Sequence, residues 1–203
     1  YWAKCLSRAA PARSYLEHRR IWSEDLAVRY GIGFAPGGTR TRAWLLKKGF
    51  TADQVTSSGL VNSRGLDFFF GRITFPLVES GDVVNIYGRS LHDQYKHSYL
   101  PARRDVIFNI ENVDSDQVIL TEGIIDAMSL IIMGFGNAVS ALSVHLTQHQ
   151  VDILAARTRR VTIAFDGDDA GAKGAASVAE ALRGKGVDVR VFADAAGQDI
   201  NSL

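Results

Sequence analysis

Acidic side chains follow two apolar runs that have the length of buried parallel strands. Glu122 comes just after the run at residues 118–120, and Asp166 and Asp168 follow the run at residues 161–165. Open α/β sheets bind their ligands in the crevice beyond the carboxyl ends of their strands. Because each run leads into a helical pattern, we expect these carboxylates to meet at one edge of a sheet.

Asp126 lies one helical turn beyond Glu122 and is expected to face the same way. Carboxylates in one crevice repel each other unless they are protonated, hydrogen-bonded or bridged by a cation. Ligand sets made of oxygen alone suit magnesium or manganese. The same residues also have a simpler interpretation at helix starts, with Asp166 capping a helix near Gly171 and Asp126 making first-turn contacts.

The second half of the chain alternates strand and helix patterns, and Thr147 is a suitable cap for one of the helices. Such alternation indicates a parallel sheet with helices on both faces. The predicted strands cover residues 118–120, 137–140, 161–165 and 187–192, and the helices cover residues 125–133, 147–157 and 171–182.

The first half predicts a mixed α/β region with a small antiparallel sheet. Residues 1–30 have helical patterns, with Ser23 as a cap, and residues 33–38 are expected to form a turn. The aromatic run at residues 68–70 favours core packing of a strand over base stacking. Further helices are predicted at residues 41–48 and from Thr51, strands at residues 68–76 and 85–91, and a hairpin at residues 78–84.

Charge divides the 203 residues into a basic and an acidic part. The first 110 residues carry 16 Lys and Arg against 9 Asp and Glu, a net charge of +7, and the remainder carries 7 against 13, a net charge of −6. This asymmetry suggests a polyanion bound by one part and a metal by the other. Two solvated surfaces of unlike composition are the simpler explanation, so the asymmetry alone favours nucleic acid only slightly.

Composition excludes several classes of protein. No apolar run approaches the length that spans a bilayer, and no signal-peptide pattern follows Tyr1. The single cysteine, Cys5, excludes an internal disulfide and a zinc site of the clustered kind. We therefore expect a cytoplasmic protein without zinc, and a first residue other than Met suggests a piece of a longer chain.

Three acidic motifs and four upstream blocks carry a resemblance to a known family. The motifs, at residues 121–130, 165–171 and 197–203, resemble those of a TOPRIM domain. Over nearly its whole length, the chain resembles the catalytic core of bacterial DnaG-type primases and their phage and plasmid relatives. The upstream blocks that follow the order of this family lie at residues 15–19, 30–36, 71–76 and 87–89.

The resemblance implies a basic N-terminal subdomain at residues 1–115 and a TOPRIM domain with a mostly parallel, Rossmann-like sheet at residues 116–203. The implied activity is that of a DNA-directed RNA polymerase, which synthesises short RNA primers from ribonucleoside triphosphates on single-stranded DNA with Mg²⁺ or Mn²⁺. A zinc-ribbon module and a helicase or helicase domain are implied elsewhere, and no membrane is involved.

The resemblance also implies roles for individual residues. Glu122, Asp166 and Asp168 would be catalytic, with Glu122 acting as an acid/base or as a further metal-site carboxylate. The implied metal ligands are Asp166, Asp168 and Asp199, with Asp126 nearby. The implied basic positions for triphosphate and template are Arg19, Arg89 and Lys96, assisted by Arg103 and Arg104.

The chain departs from the family pattern at three points. The third motif has Asn201 where the family usually has an aspartate, so that position keeps an oxygen but loses a negative charge. Asn109 and Glu111 stand where the family usually carries a lysine near Phe108. The zinc-ribbon module and the helical end of the core fall outside the sequence.

Two other classes of function fit part of the same pattern. Another TOPRIM enzyme, a nuclease or a topoisomerase-like strand cleaver, would use the same acids but would not need the upstream basic blocks. A non-catalytic nucleic-acid-binding module of a mobile-element protein would tolerate Asn201. Intact Glu122, Asp166 and Asp168 argue against such a decayed site.

Overall fold

The structure is a computed structural model that describes residues 1–92 and 97–192. Within those ranges, no helix is long and apolar enough to cross a membrane. The chain divides into two compact units. The first contains Tyr1–Leu77 and Val83–Arg104, and the second contains Val78–Asp82 and the chain from Asp105 onward.

The first unit combines short helices with an antiparallel sheet. Its helices are α1 Trp2–Leu6, α2 Ala10–His18, α3 Glu24–Arg29, α4 Arg40–Lys47 and α5 Ala52–Ser57, and its strands are β1 Gly33–Ala35, β2 Arg72–Glu79, β3 Asp82–Ser90 and β4 Ser98–Tyr99. The ends of β2 and β3 that meet at the hairpin tip, within Val78–Asp82, belong to the second unit. The strands lie in the order β1-β2-β3-β4. Ser23 caps α3 as predicted, since its Oγ accepts the N–H of Leu26 at 3.4 Å.

Two predicted boundaries in this sheet are wrong. Residues 33–35, predicted as part of a turn, form β1, which pairs with Arg72 to Thr74 of β2. β2 begins at Arg72 and not at residue 68, and it continues through Pro76 to Glu79. Proline lacks the N–H that a sheet ladder needs, but the pairing of β1 with β2 ends at Thr74, so Pro76 lies beyond it.

The aromatic run at residues 68–70 contributes one ring to the core. Phe69 is fully buried, whereas Phe68 is 38% and Phe70 is 71% exposed. The Phe69 ring lies against Gly88, where a Cβ would come within 2.3 Å of the ring. The interpretation of the run as core packing therefore holds for Phe69 alone.

The second unit contains the predicted parallel sheet. Its elements are a 3₁₀ turn at Ile110–Asn112, the strands β5 Gln117–Thr121, β6 Ala138–Ser140, β7 Arg160–Ala164 and β8 Asp188–Val191, and the helices α6 Ile124–Ile132, α7 Gln148–Arg157 and α8 Asp169–Arg183. The strands lie in the order β6-β5-β7-β8, and each pair is parallel. Leu120 and Ile163 of the sheet share a core with Leu154 of α7 and Leu182 of α8. The mixed α/β fold predicted from the sequence is confirmed.

The outer edge of β6 is covered by the segment that precedes the 3₁₀ turn. Phe108 and Ser140 exchange both backbone hydrogen bonds, at 2.9 and 3.2 Å. Asn109, in a left-handed backbone conformation, donates its amide to the carbonyl oxygen of Ala138 at 2.8 Å. An open strand edge invites pairing with other chains, and this segment removes that opportunity.

Gln150 of α7 ties the same segment to the sheet. Its buried Nε2 donates to the carbonyl oxygens of Val106 and Ala141, both at 2.9 Å, while its Oε1 accepts the N–H of Thr147 at 3.0 Å. Thr147 Oγ1 in turn accepts the N–H of Gln150 at 3.3 Å, so the predicted cap at Thr147 is confirmed.

Gln150→Leu is expected to destabilise the protein by about 2–4 kcal/mol, because two buried carbonyl groups and one N–H group lose their partners. The urea midpoint of unfolding measures this loss. Gln148→Leu is the matched control, since Gln148 lies on the same helix and makes an exposed contact with Asp152. Equal midpoints for the two variants would contradict the bridging role of Gln150.

The tip of the β2–β3 hairpin is held within the second unit by Glu111 and His149. The Glu111 carboxylate accepts the backbone N–H groups of Ser80 and Gly81, the latter at 3.1 Å. His149 Nε2 lies 2.8 Å from Glu79 Oε1. Glu111, noted above as a departure from the family pattern, therefore anchors the hairpin.

Candidate active site

Glu122 and Asp166 follow strands that are direct neighbours in the parallel sheet. Thr121, the last residue of β5, is in register with Ala164, the last residue of β7. Neighbouring strands lie about 4.8 Å apart, so the segments that follow β5 and β7 leave the sheet side by side. Glu122 and Asp166 are both half-buried at this edge.

Two buried hydroxyl groups fix the backbone on either side of Glu122. The single O–H of Thr121 lies within hydrogen-bonding distance of two carbonyl oxygens, that of Gly123 at 3.0 Å and that of Val139 at 3.1 Å. Ser140 Oγ donates to the carbonyl oxygen of Glu122 at 2.9 Å. Sequence reasoning missed Thr121 and Ser140, although a hydroxyl residue at the end of each of two apolar strands was a visible signal.

Asp126 lies in the first turn of α6 and acts there as a helix cap. Its Oδ2 accepts the backbone N–H of Gly123 at 3.1 Å. A carboxylate at this position also interacts favourably with the positive end of the helix dipole. The first-turn contact considered from the sequence is thus confirmed, while a role of Asp126 at a metal stays a prediction.

Asp168, not Asp166, caps α8. Its Oδ1 accepts the N–H of Gly171 at 2.7 Å, so the alternative that assigned the cap to Asp166 is wrong. Gly171 lies directly against the backbone of Asp166, where a Cβ would come within 2.1 Å of the Asp166 carbonyl oxygen. Glycine at residue 171 therefore allows the first turn of α8 to pack against the Asp166 main chain.

The donor set at this edge consists of carboxylate oxygens, which are the ligands that hard divalent cations prefer. Among residues 1–92 and 97–192, no three His, Cys, Asp or Glu side chains group closely enough to hold a metal ion. The third motif, with Asp199 and Asn201, lies outside the described residues. The metal ligands therefore stay a prediction.

Four of the basic residues of the resemblance, Arg19, Arg89, Arg103 and Arg104, lie in the described part of the first unit, and Tyr15 contacts two of them. Arg89, on β3, donates its Nε–H to the Tyr15 hydroxyl at 2.8 Å. The Arg19 guanidinium lies 5.6 Å from the centre of the Tyr15 ring. Burial alone would lower the pKa of Arg89, but its contacts with Tyr15 and Tyr87 outweigh burial and raise that pKa, so the side chain stays charged. Lys96, the third basic position, lies outside the described residues.

Arg103 and Arg104 lie on an exposed segment that Asn85 holds against the sheet. The buried Asn85 donates its Nδ2 to the carbonyl oxygen of Arg103 at 3.0 Å. The Arg104 guanidinium stacks 5.2 Å from the centre of the Tyr99 ring. The Tyr99 ring packs against that of Tyr87, with 5.4 Å between the ring centres, and its burial raises the pKa of Tyr99.

Comparisons with known proteins match both halves of the chain. The family described as "DNA primase catalytic core, N-terminal domain" matches residues 1–113, and the family described as "Toprim-like" matches residues 119–203. Toprim domains generally bind a divalent metal. The two matches together account for almost the entire chain.

Individual relatives agree with these matches. A DNA primase of Staphylococcus epidermidis is 30% identical to this chain, and the alignment covers 93% of this chain and 34% of the relative. The Aquifex aeolicus primase structure, with its zinc-binding and RNA polymerase domains, has a TM-score of 0.83 at 27% identity and covers 97% of this chain and 53% of that one. A structure of the DnaG primase catalytic domain bound to single-stranded DNA has a TM-score of 0.82 at 26% identity and covers 100% of this chain and 72% of that one.

The chain spans about a third of the length of the curated relatives that it matches. The primase catalytic-core family alone matches more than half of the present chain, and the Toprim-like family matches most of the rest. This chain therefore belongs to the DNA primase family, as a DnaG-type catalytic core with a Toprim domain.

Proposed function

We propose that this chain synthesises short RNA primers from ribonucleoside triphosphates on a single-stranded DNA template. The observation that carries the proposal is the placement of Glu122 and Asp166 at the ends of adjacent parallel strands in a chain of the primase family. The relative bound to single-stranded DNA supports this choice of template. The upstream basic blocks favour synthesis over a nuclease activity that uses the same acids.

The proposed catalytic residues are Glu122, Asp166 and Asp168, and the proposed metal ligands add Asp126 and Asp199. Mg²⁺ or Mn²⁺ bound there would neutralise charge on the transferred phosphoryl group and activate the attacking 3′ hydroxyl. The chain's own contribution is rigidity. The buried hydroxyls of Thr121 and Ser140 fix the backbone at Glu122, and Gly171 packs against that of Asp166.

The proposed ligands of the basic residues are the triphosphate and the template backbone. Arginine forms paired hydrogen bonds with phosphate oxygens, and lysine acts as a point charge. Held by Tyr15, Arg19 and Arg89 are suited to such contacts. The remaining proposed contacts come from Lys96, Arg103 and Arg104.

The proposed domain boundary lies at about residue 115, with the basic subdomain at residues 1–115 and the TOPRIM domain at residues 116–203. The two family matches support it, because one ends at residue 113 and the other begins at residue 119. In the longer protein, we propose a zinc-ribbon module, as in the Aquifex aeolicus relative, and a helicase as partners. A replication enzyme of this kind would act in the cytoplasm.

Primer synthesis by the full-length protein tests the proposed function. Single-stranded DNA, labelled ribonucleotides and either Mg²⁺ or Mn²⁺ are expected to yield short RNA products that require both template and metal. Degradation of the DNA without synthesis would identify a nuclease instead. Template binding with neither reaction would identify a non-catalytic module.

A further inference from the structure

Tyr15 contacts two basic residues with two different parts of its side chain. Its hydroxyl oxygen accepts the Arg89 Nε–H at 2.8 Å, and the face of its ring carries the Arg19 guanidinium at 5.6 Å. Arg89 lies on β3, 74 residues further along the chain, while Arg19 follows the end of α2. One phenol side chain therefore joins two cationic groups from separate elements of the first unit.

Tyr15 is not the residue that anchors α2 in the core. The buried residues of this helix are Ala12 and Leu16, whereas Tyr15 is only half-buried. The hydroxyl–arginine contact is therefore separable from the packing of the helix. A variant that removes only the hydroxyl oxygen should release the Arg89 side chain from its contact with Tyr15 and leave α2 in place.

The physical effect of these contacts is to order two long cationic side chains. An unrestrained arginine side chain carries about 2 kcal/mol of rotamer entropy, part of which is lost when it binds a ligand. Two nearby guanidinium groups also repel each other, and a neutral acceptor next to one and a π face beneath the other offset that repulsion. When the arginine side chains are already ordered in the free protein, less conformational entropy is lost on binding.

We propose that Tyr15 is a positioning residue that holds Arg19 and Arg89 as a two-arginine clamp for phosphate groups. The proposal rests on the proposed function, in which these arginines contact the triphosphate or the template. Phosphate is the chemistry common to both sources. The clamp acts through the Tyr15 hydroxyl on Arg89 and through the Tyr15 ring on Arg19.

Equilibrium binding by the full-length protein separates the two phosphate sources. One arm measures the fluorescence anisotropy of end-labelled single-stranded DNA, and the other measures the binding of a fluorescent ATP analogue with Mg²⁺. Tyr15→Phe keeps the ring and removes the acceptor of the Arg89 Nε–H, while the contact of Arg89 with Tyr87 remains. We expect Kd to rise about fivefold to tenfold in the arm that reports the clamped phosphate. The thermal midpoint should not change.

A double-mutant cycle with Arg89→Lys shows whether Tyr15 acts through Arg89. Lysine has no Nε–H fork for the tyrosine to hold, so Tyr15→Phe should have no further effect in the Arg89→Lys background. Tyr30→Phe is the matched control, because Tyr30 lies beneath Arg29 at 5.6 Å in the same unit, and its Kd values should match the wild type.

The proposal would be overturned if Tyr15→Phe left Kd at the wild-type value in both arms. It would also be overturned if Tyr15→Phe weakened binding by the same factor with and without Arg89→Lys. Neither arm requires synthesis. A protein that makes no primers but shows the expected shift would therefore refute the proposed function and leave the clamp established.

Discussion

Asp166→Asn and Glu122→Gln are each expected to lower the rate of primer synthesis about a thousandfold while the protein stays folded. Each amide keeps the size and one oxygen of the carboxylate but removes the negative charge that a divalent cation requires. A thousandfold loss corresponds to about 4 kcal/mol of activation free energy, which is within the contribution of a catalytic metal. Both side chains are half-buried at the ends of adjacent strands. Removing one negative charge weakens binding of the proposed divalent cation, and the other carboxylate then loses its counter-ion.

The measurement is the rate of labelled ribonucleotide incorporation on single-stranded DNA, with the thermal midpoint recorded for each variant. Asp169→Asn is the matched control, because Asp169 is an exposed carboxylate at the start of α8, three residues after Asp166 in the chain. It should retain near wild-type synthesis. An Asp166→Asn protein that kept more than about a tenth of the wild-type rate would exclude Asp166 from the catalytic site.

Gly171→Ala is expected to destabilise the protein by about 2–4 kcal/mol and to reduce synthesis as well. The added Cβ would lie 2.1 Å from the carbonyl oxygen of Asp166. That oxygen belongs to the backbone, so no change of rotamer relieves the overlap, and either α8 or the Asp166 segment must move. Movement of the Asp166 segment would displace its carboxylate from the edge next to Glu122.

Helix propensity predicts the opposite sign for the same change. Alanine is favoured over glycine within a helix by about 1 kcal/mol, and Gly171 lies in the first turn of α8. The urea midpoint of unfolding decides between the two effects. Gly136→Ala serves as the control, since a Cβ at residue 136 meets nothing within 4 Å. A Gly171→Ala protein at least as stable as the wild type would show that the contact with Asp166 can relax.

The parallel sheet was predictable because each of its strands has a recognisable pattern within a short stretch of sequence. The β-branched and apolar runs that became β5 and β7 are continuous, and each ends in a carboxylate and a glycine before a helix begins. The adjacency of β5 and β7 then brings Glu122 and Asp166 to one edge. The caps at Ser23 and Thr147 were equally local, since a capping hydroxyl binds an N–H group three residues away.

The errors involve pairing between distant residues. Residues 33–35 contain a glycine and little β propensity, and they become β1 because β2 supplies partners almost 40 residues later in the chain. The aromatic run at residues 68–70 contains three phenylalanines in succession, and only the surroundings of Gly88 determine that Phe69 is the buried one. No sequence pattern indicates the contact between Tyr15 and Arg89, because the two residues are 74 positions apart. From the sequence alone, Tyr15 could not be distinguished from an ordinary helix residue.

The departures at Asn109 and Glu111 show a different limit. Comparison with a family pattern reports that an expected lysine is missing, but not what its replacements do. In the structure, Asn109 binds the backbone at the start of β6, and Glu111 binds the backbone at the tip of the hairpin. Both contacts are made to main-chain atoms, which leave no trace in the side-chain pattern of either partner.

The anchoring of the hairpin tip by Glu111 has a consequence for how this protein can be recombined. The carboxylate and the Ser80 amide that it accepts are 31 residues apart, and the chain passes through the rest of the first unit between them. A chimera made by exchanging the first 104 residues for those of a relative would keep Glu111 but import a foreign tip. Because Glu111 binds main-chain N–H groups, a viable chimera must keep the length of the tip and its turn geometry, in which Ser80 and Gly81 both have positive φ, whereas the side chains of the tip are free to differ.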